Sequence, residues 1–250
     1  MIHFVGAGPG AVDLITLRGA KLLQNADVVI YAGSLVNAEL LTRTGESCRI
    51  YNSAHMTLEE VIEVMEEAEK KSLTTVRLHT GDPSLYGAIK EQMDELDKRK
   101  IAYDVCPGVS SFSGAASSLQ MEYTLPGISQ SVIISRVEGR TKVPAAESLQ
   151  SLAAHQATMV LFLSSGYAKE VKEQLIEGGY PPETPAAVVF KATWCEEKIL
   201  RTTLMQLPEE MDKAGIDKTA LIIVGKVLEG QYERSKLYDA SFTTGFRKGK

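Results

Sequence analysis

The chain opens with Ile2-His3-Phe4-Val5 and runs at once into Gly6-Ala7-Gly8-Pro9-Gly10. A short apolar strand that ends in three crowded glycines belongs to a layered α/β fold, where a buried strand must turn sharply at its carboxyl end. Glycines there put bare backbone where a side chain would collide with a ligand. The spacing excludes the dinucleotide fingerprint, which needs two residues between its second and third glycines; here only Pro9 stands between Gly8 and Gly10. Pro9 also has no N–H to offer a pyrophosphate and fixes its own φ. The second apolar run, Asp27-Val28-Val29-Ile30-Tyr31-Ala32-Gly33, ends on a glycine and not on the acid that would hold a ribose. The loop suits a ligand with an uncharged body, approached closely by backbone.

Further along, short apolar runs rich in β-branched residues alternate with helical patterns. Strands are expected at 2–6, 27–32, 74–80, 103–106, 131–135, 158–163, 186–192, 198–203 and 219–227. Leu58, Val61, Ile62 and Met65 form an apolar helical stripe opposed by five glutamates, and Thr57 with Glu60 spells a capping box. Residues 88–100 and 168–177 behave similarly, the latter ending at Gly178-Gly179. Such alternation predicts two α/β domains with mostly parallel sheets. The 250 residues suffice for two cores. Leu125-Pro126-Gly127-Ile128-Ser129 breaks both periodicities, so the expected division is 1–120, 121–230 and an arm at 231–250. Four aromatics in that last segment, Tyr232, Tyr238, Phe242 and Phe246, suit an arm that packs on a partner subunit better than a solvated tail.

Composition narrows the class. The net charge of −5 gives no nucleic-acid footprint, no apolar run has membrane-spanning length, and the start lacks an export signal. Cys48, Cys106 and Cys195 are widely spaced with no CxxC pair, which reads as reduced thiols in a cytoplasm and not as a zinc site. His3, His55, His79 and His155 are scattered without metal-site spacing, so no metal is expected. No nucleophile–base pair stands out and no catalytic residue is nominated. His79, beside a Gly-Asp-Pro turn, reads as a packed, hydrogen-bonded neighbour of the site.

Two more strand ends carry glycine. One is Val76-Arg77-Leu78-His79-Thr80-Gly81-Asp82-Pro83-Ser84-Leu85-Tyr86-Gly87; the other is Val105-Cys106-Pro107-Gly108-Val109-Ser110-Ser111. A plain turn, with Asp82 capping a helix and Pro83 near its first position, accounts for those two residues but not for Gly81 or Tyr86-Gly87. In an open parallel sheet ligands sit beyond the carboxyl ends of the strands, so three glycine-bearing ends on one rim mark a candidate site.

These motifs together (Gly-x-Gly-Pro-Gly-x3-Leu-Ile-Thr-Leu-Arg-Gly, Gly-Asp-Pro-Ser-Leu-Tyr-Gly and Pro-Gly-Val-Ser-Ser) resemble the tetrapyrrole (corrin and porphyrin) methyltransferases. The resemblance extends through Leu161–Ser165, Val189–Trp194 and Ala220–Gly225, nearly the whole chain. It implies a homodimer of two-domain subunits with S-adenosylmethionine in the trough between the domains, and a tetrapyrrole as the acceptor. Carried over by position, Pro9 lies beside the cofactor, and Thr80, Gly81 and Asp82 contact its methionine or ribose part with Leu85 close by. Ser110 and Ser111 lie on the next loop, and Leu163, Ala192 and Ala220 of the second domain wall the adenine. Many relatives carry an Asp just after the second strand where this chain has Gly33, so no base role is assigned there.

A flat macrocycle fringed with carboxylates calls for cations at the rim of its site. Arg136, Arg140 and Lys142 are the candidates, against a reading as ordinary loop charges. Trp194 is either a core filler or a wall of the macrocycle site. A protein-side-chain methyltransferase of the same fold, a nucleotide-binding oxidoreductase or regulator, and a non-catalytic tetrapyrrole carrier are the competing functions.

Overall fold

A computed structural model describes residues 1–230 and 232–250. The chain packs into two units, Met1–Ala115 with Lys191–Glu197, and Ala116–Phe190 with Lys198–Lys250. The division falls between Ala115 and Ala116, inside a helix, and not in the Pro/Gly stretch at 120–130.

The first unit is built from β1 (Ile2–Gly6), α1 (Leu17–Gln24), β2 (Val28–Tyr31), β3 (Arg49–Asn52), α2 (Leu58–Lys70), β4 (Thr75–His79), α3 (Ile89–Lys98) and β5 (Tyr103–Cys106), followed by α4 (Ser111–Leu119). Its sheet has the order β3-β2-β4-β1-β5 and every pairing in it is parallel. The strands are covered on both faces, as an all-parallel sheet requires. Val5, Leu23, Val29, Val76 and Leu78 fill one layer; Phe4, Ile30, Ile62, Met65 and Leu96 fill the other. Burying each such side chain stabilises the unit by about 1.5–3 kcal/mol. The α2 capping box forms as expected, with Thr57 N–H donating to Glu60 Oε2 at 2.7 Å and Glu60 N–H to Thr57 Oγ1 at 3.3 Å. That device typically contributes about 1 kcal/mol.

The second unit contains β6 (Val132–Ser135), α5 (Leu149–Ala153), β7 (Thr158–Leu161), α6 (Ala168–Glu177), β8 (Pro185–Phe190), β9 (Lys198–Thr203), α7 (Leu207–Ala214) and β10 (Ala220–Val224). Its order is β6-β7-β10-β8-β9. Among the described residues most strand pairings of the whole molecule are parallel, but they are unevenly shared. Here only β6–β7 is parallel, whereas β7–β10, β10–β8 and β8–β9 are antiparallel. A parallel pair needs a crossover of about a dozen residues or more, and the link 191–197 between β8 and β9 is too short for one. That hairpin reverses the chain, so β10, returning through α7 and inserting between β7 and β8, runs against both. Residues 232–250 stay with this unit and leave Tyr238 and Phe246 exposed.

Candidate functional site

β4, β1 and β5 are adjacent in the first sheet, so the three glycine-bearing turns emerge side by side. They are joined to one another by main chain. Ala7 N–H donates to His79 O at 2.7 Å, Gly8 N–H to Gly81 O at 3.2 Å and Gly81 N–H to Gly8 O at 2.8 Å. On the other side, Gly108 N–H donates to Asp82 Oδ2 at 2.8 Å. The glycines are needed for this mutual approach more than for a ligand: a Cβ on Gly6 would lie 2.5 Å from Gly108 Cα and 2.6 Å from Gly81 O. At Gly8 and Gly81, φ values of +83° and +60° add a conformational demand that glycine meets without strain.

Asp82 organises the middle turn. Its Oδ1 accepts from Ser84 N–H at 2.9 Å and from the Ser84 hydroxyl. Burial by itself would raise its pKa; the Ser84 hydroxyl and the Gly108 and Ser84 N–H groups outweigh that and hold the carboxyl below its ordinary value. It caps no helix, since α3 starts only at Ile89. The segment between carries Tyr86 and Ala88 at positive φ of 56° and 50°, and a buried polar pair anchors its far end. Arg77 Nε donates to Gln92 Oε1 at 3.0 Å and Arg77 Nη1 to Ile30 O at 3.1 Å, while Gln92 Nε2 donates to Ala88 O at 3.0 Å. Burial draws the Arg77 pKa down to about 10.

Pro9, Thr80, Gly81, Asp82, Leu85, Ser110, Ser111 and Ala192 all fall in the first unit. Ser110 and Ser111 pass against Gly81, where a Cβ would stand 3.3 Å from Ser111 N. Ala192, expected with the second domain, packs with the first unit because the whole 191–197 link does. Leu163, Ala220, Arg136, Arg140 and Lys142 belong to the second unit. Leu163 is 63% exposed and has a φ of +52°. Arg136 folds back on its own loop: Nη1 donates to Val137 O at 3.2 Å and Thr141 O at 3.1 Å, and Nη2 to Lys142 O at 2.9 Å. Glu138 Oε2 closes the same loop by accepting from Val143 N–H at 3.0 Å. Arg140 and Lys142 are exposed on it.

His79 is packed as expected but not hydrogen-bonded at Nε2. Burial, and secondarily the Arg77 charge, push its pKa down to about 3, so the ring is neutral. Gly33 has a φ of +60°, and a Cβ there would lie 2.8 Å from the Ala54 methyl and 3.2 Å from Asn52 Oδ1. An Asp at that position would need the neighbouring turn to move. Asn37, which donates to Gly10 O at 3.0 Å, and Gln92 carried no signal in the sequence. Among the described residues no group of His, Cys, Asp and Glu could hold a metal ion, and no helix is long and apolar enough to cross a membrane.

A parallel sheet with three interlocked glycine-bearing strand ends, followed by a unit with a mixed sheet, makes the chain a two-unit α/β protein. The family model for tetrapyrrole (corrin/porphyrin) methylases matches residues 1–208, and the chain belongs to that family. It is 55% identical over 248 residues to a cobalt-precorrin-4 C(11)-methyltransferase of Methanocaldococcus jannaschii, covering 99% of this chain and 96% of that one. The X-ray structure of a cobalamin biosynthetic enzyme, cobalt precorrin-4 methyltransferase, superposes with a TM-score of 0.89 at 45% identity, covering 91% of this chain and 95% of that one. Uroporphyrin-III C-methyltransferase from Thermus thermophilus, crystallised with S-adenosyl homocysteine, gives a TM-score of 0.77 at 25% identity over 92% of this chain and 99% of that one.

Proposed function

We propose that this protein is an S-adenosylmethionine-dependent C-methyltransferase of cobalamin biosynthesis that methylates C-11 of cobalt-precorrin-4, working as a cytoplasmic homodimer. The observation that carries the reading is the 55% identity, over 99% of the chain, to a protein of that name. Metal-free precorrin-4 is the alternative acceptor.

The residues suit the donor. Thr80, Gly81, Leu85, Ser110 and Ala192 are uncharged, and the one carboxylate among the proposed donor contacts, Asp82, is committed to holding Gly108 and Ser84. Leu163 is an exposed apolar side chain on left-handed backbone, an arrangement that costs about 1 kcal/mol or more and that cover by an apolar ring would offset. When bound, the sulfonium supplies an already activated methyl group, so neither a metal nor an enzyme nucleophile is required. The protein's share is then to hold the acceptor carbon in line and to exclude water. The 136–143 loop serves the acceptor: Arg136 and Glu138 keep it folded, and Arg140 and Lys142 meet ring carboxylates from its exposed side.

The test is incubation with S-adenosylmethionine and cobalt-precorrin-4, with mass analysis for a product heavier by one methyl group. Calorimetry with S-adenosylhomocysteine and with NADH accompanies it. Tight binding of NADH and none of the homocysteine product would overturn the proposal.

A further inference from the structure

The chain's sole tryptophan sits on the seven-residue link between β8 and β9, and that link packs with the first unit. Its indole Nε1 donates to Pro9 O at 3.0 Å. One residue earlier, Thr193 Oγ1 accepts the Ala11 N–H at 3.0 Å. Gly10, between the two gripped residues, lies flat against the indole, where a Cβ would overlap the ring. From behind, Gly114 of α4 closes on the same tripeptide, with space for a Cβ only 2.7 Å from Pro9 Cβ and 3.3 Å from the Thr193 methyl. Pro9 through Ala11 is therefore held on two sides, with Pro9 O, Gly10 O and the Ala11 N–H taken up by Trp194, Asn37 and Thr193.

The grip is itself braced. Thr193 N–H donates to Glu197 Oε2 at 2.5 Å. Lys191 Nζ lies 5.1 Å from the centre of the Trp194 ring and pairs with Glu196 at 2.9 Å, so a cation covers the indole on a partly screened face. Lys191 and Thr193 both have positive φ, 48° and 69°. Glycine or asparagine would turn the chain there without strain, and a β-branched residue is the least suited to it. Such strain persists only where surrounding contacts over-determine it, and it gathers at functional sites. Here it aims the Thr193 hydroxyl and the Trp194 indole at one tripeptide and buries Ala192, 6% exposed, beside them.

We infer that Thr193 and Trp194 are positioning residues for the methyl donor: they lock the Pro9–Ala11 turn to Ala192, so that these two contacts keep a fixed spacing. This rests on the cofactor reading above. The deciding variants are Thr193→Val, which removes the acceptor at nearly constant shape, and Thr193→Ser, which keeps it. If the turn is less often in its binding geometry, apparent affinity falls by that fraction.

For Thr193→Val, S-adenosylhomocysteine should bind about 5–10-fold more weakly by calorimetry. Thr193→Ser should bind like the parent, and the KM for the tetrapyrrole should stay unchanged in both. Trp194→Phe should weaken the donor similarly. Because there is one tryptophan, its emission in the parent should shift with a midpoint equal to the calorimetric Kd. Equal affinity in the parent and Thr193→Val, or binding by calorimetry that leaves the emission untouched, would overturn the inference while leaving the methyltransferase reading intact. No homocysteine binding by the parent would sink both.

Discussion

Asp82 reaches from the turn after β4 to the amide of Gly108 in the turn after β5, at 2.8 Å. A side chain placed among motif residues thus acts as a strut between two turns. Asp82→Ala removes that acceptor and both bonds from Ser84. We expect S-adenosylhomocysteine to bind about 10-fold more weakly, the equivalent of one hydrogen bond to a charged group. Calorimetry decides it, and unchanged affinity would reduce Asp82 to an internal turn residue.

The mutual contact of Gly6, Gly81 and Gly108 makes a second prediction. A Cβ on Gly108 would fall 2.7 Å from Gly6 Cα and closer still to Gly81 O, both main-chain atoms that cannot rotate away. Gly108→Ala should destabilise the protein by about 2–3 kcal/mol, the usual cost of overpacking. The denaturation midpoint reports this. Gly45→Ala, where no atom lies within 4 Å, is the control and should be close to neutral.

The basic loop separates two kinds of arginine. Arg140→Ala should raise the KM for the tetrapyrrole several-fold and leave donor affinity alone, as expected for an exposed carboxylate partner. Arg136→Ala strips three carbonyls of their donor and should raise the same KM while also increasing protease cutting within 137–143. Loss of donor affinity in Arg140→Ala would mean that the loop serves the other ligand.

Stability should depend on pH through His79. Its folded pKa is about 3 against 6.5 when free, so below 6.5 the unfolded chain binds a proton that the folded one refuses. The neutral ring's contribution is complete above pH 6.5 and is lost as pH falls from 6.5 toward 3, at about 1.4 kcal/mol per unit. Between pH 7 and pH 5 the parent should lose about 2 kcal/mol more than His79→Leu in chemical denaturation. Parallel losses would show that the imidazole is not held neutral by its surroundings.

Legibility followed the range of the interactions involved. β1, β5 and β9 have the expected limits, and the Thr57–Glu60 box and the end of α6 at Gly178 are local effects of neighbouring residues. β3 escaped because Arg49–Asn52 is a four-residue edge strand with Arg49 and Ile50 exposed, too short and too open to show alternation. The antiparallel course of β10 depends on a strand inserting between two others, which no local pattern encodes. At the candidate site, glycine spacing pointed to three turns that the strand order brings side by side. What glycine was for there, and that Trp194 grips Pro9, depends on contacts between residues up to 185 positions apart.

Because the three turns meet through main chain and the single Asp82 strut, hardly any other amino-acid exchange can tune the distances among them. Drift toward a new acceptor would have to proceed through the self-tied 136–143 segment, whose exposed cations can be swapped without disturbing a neighbour. The proposed donor seat would then stay the inherited constant and the loop the adjustable dial.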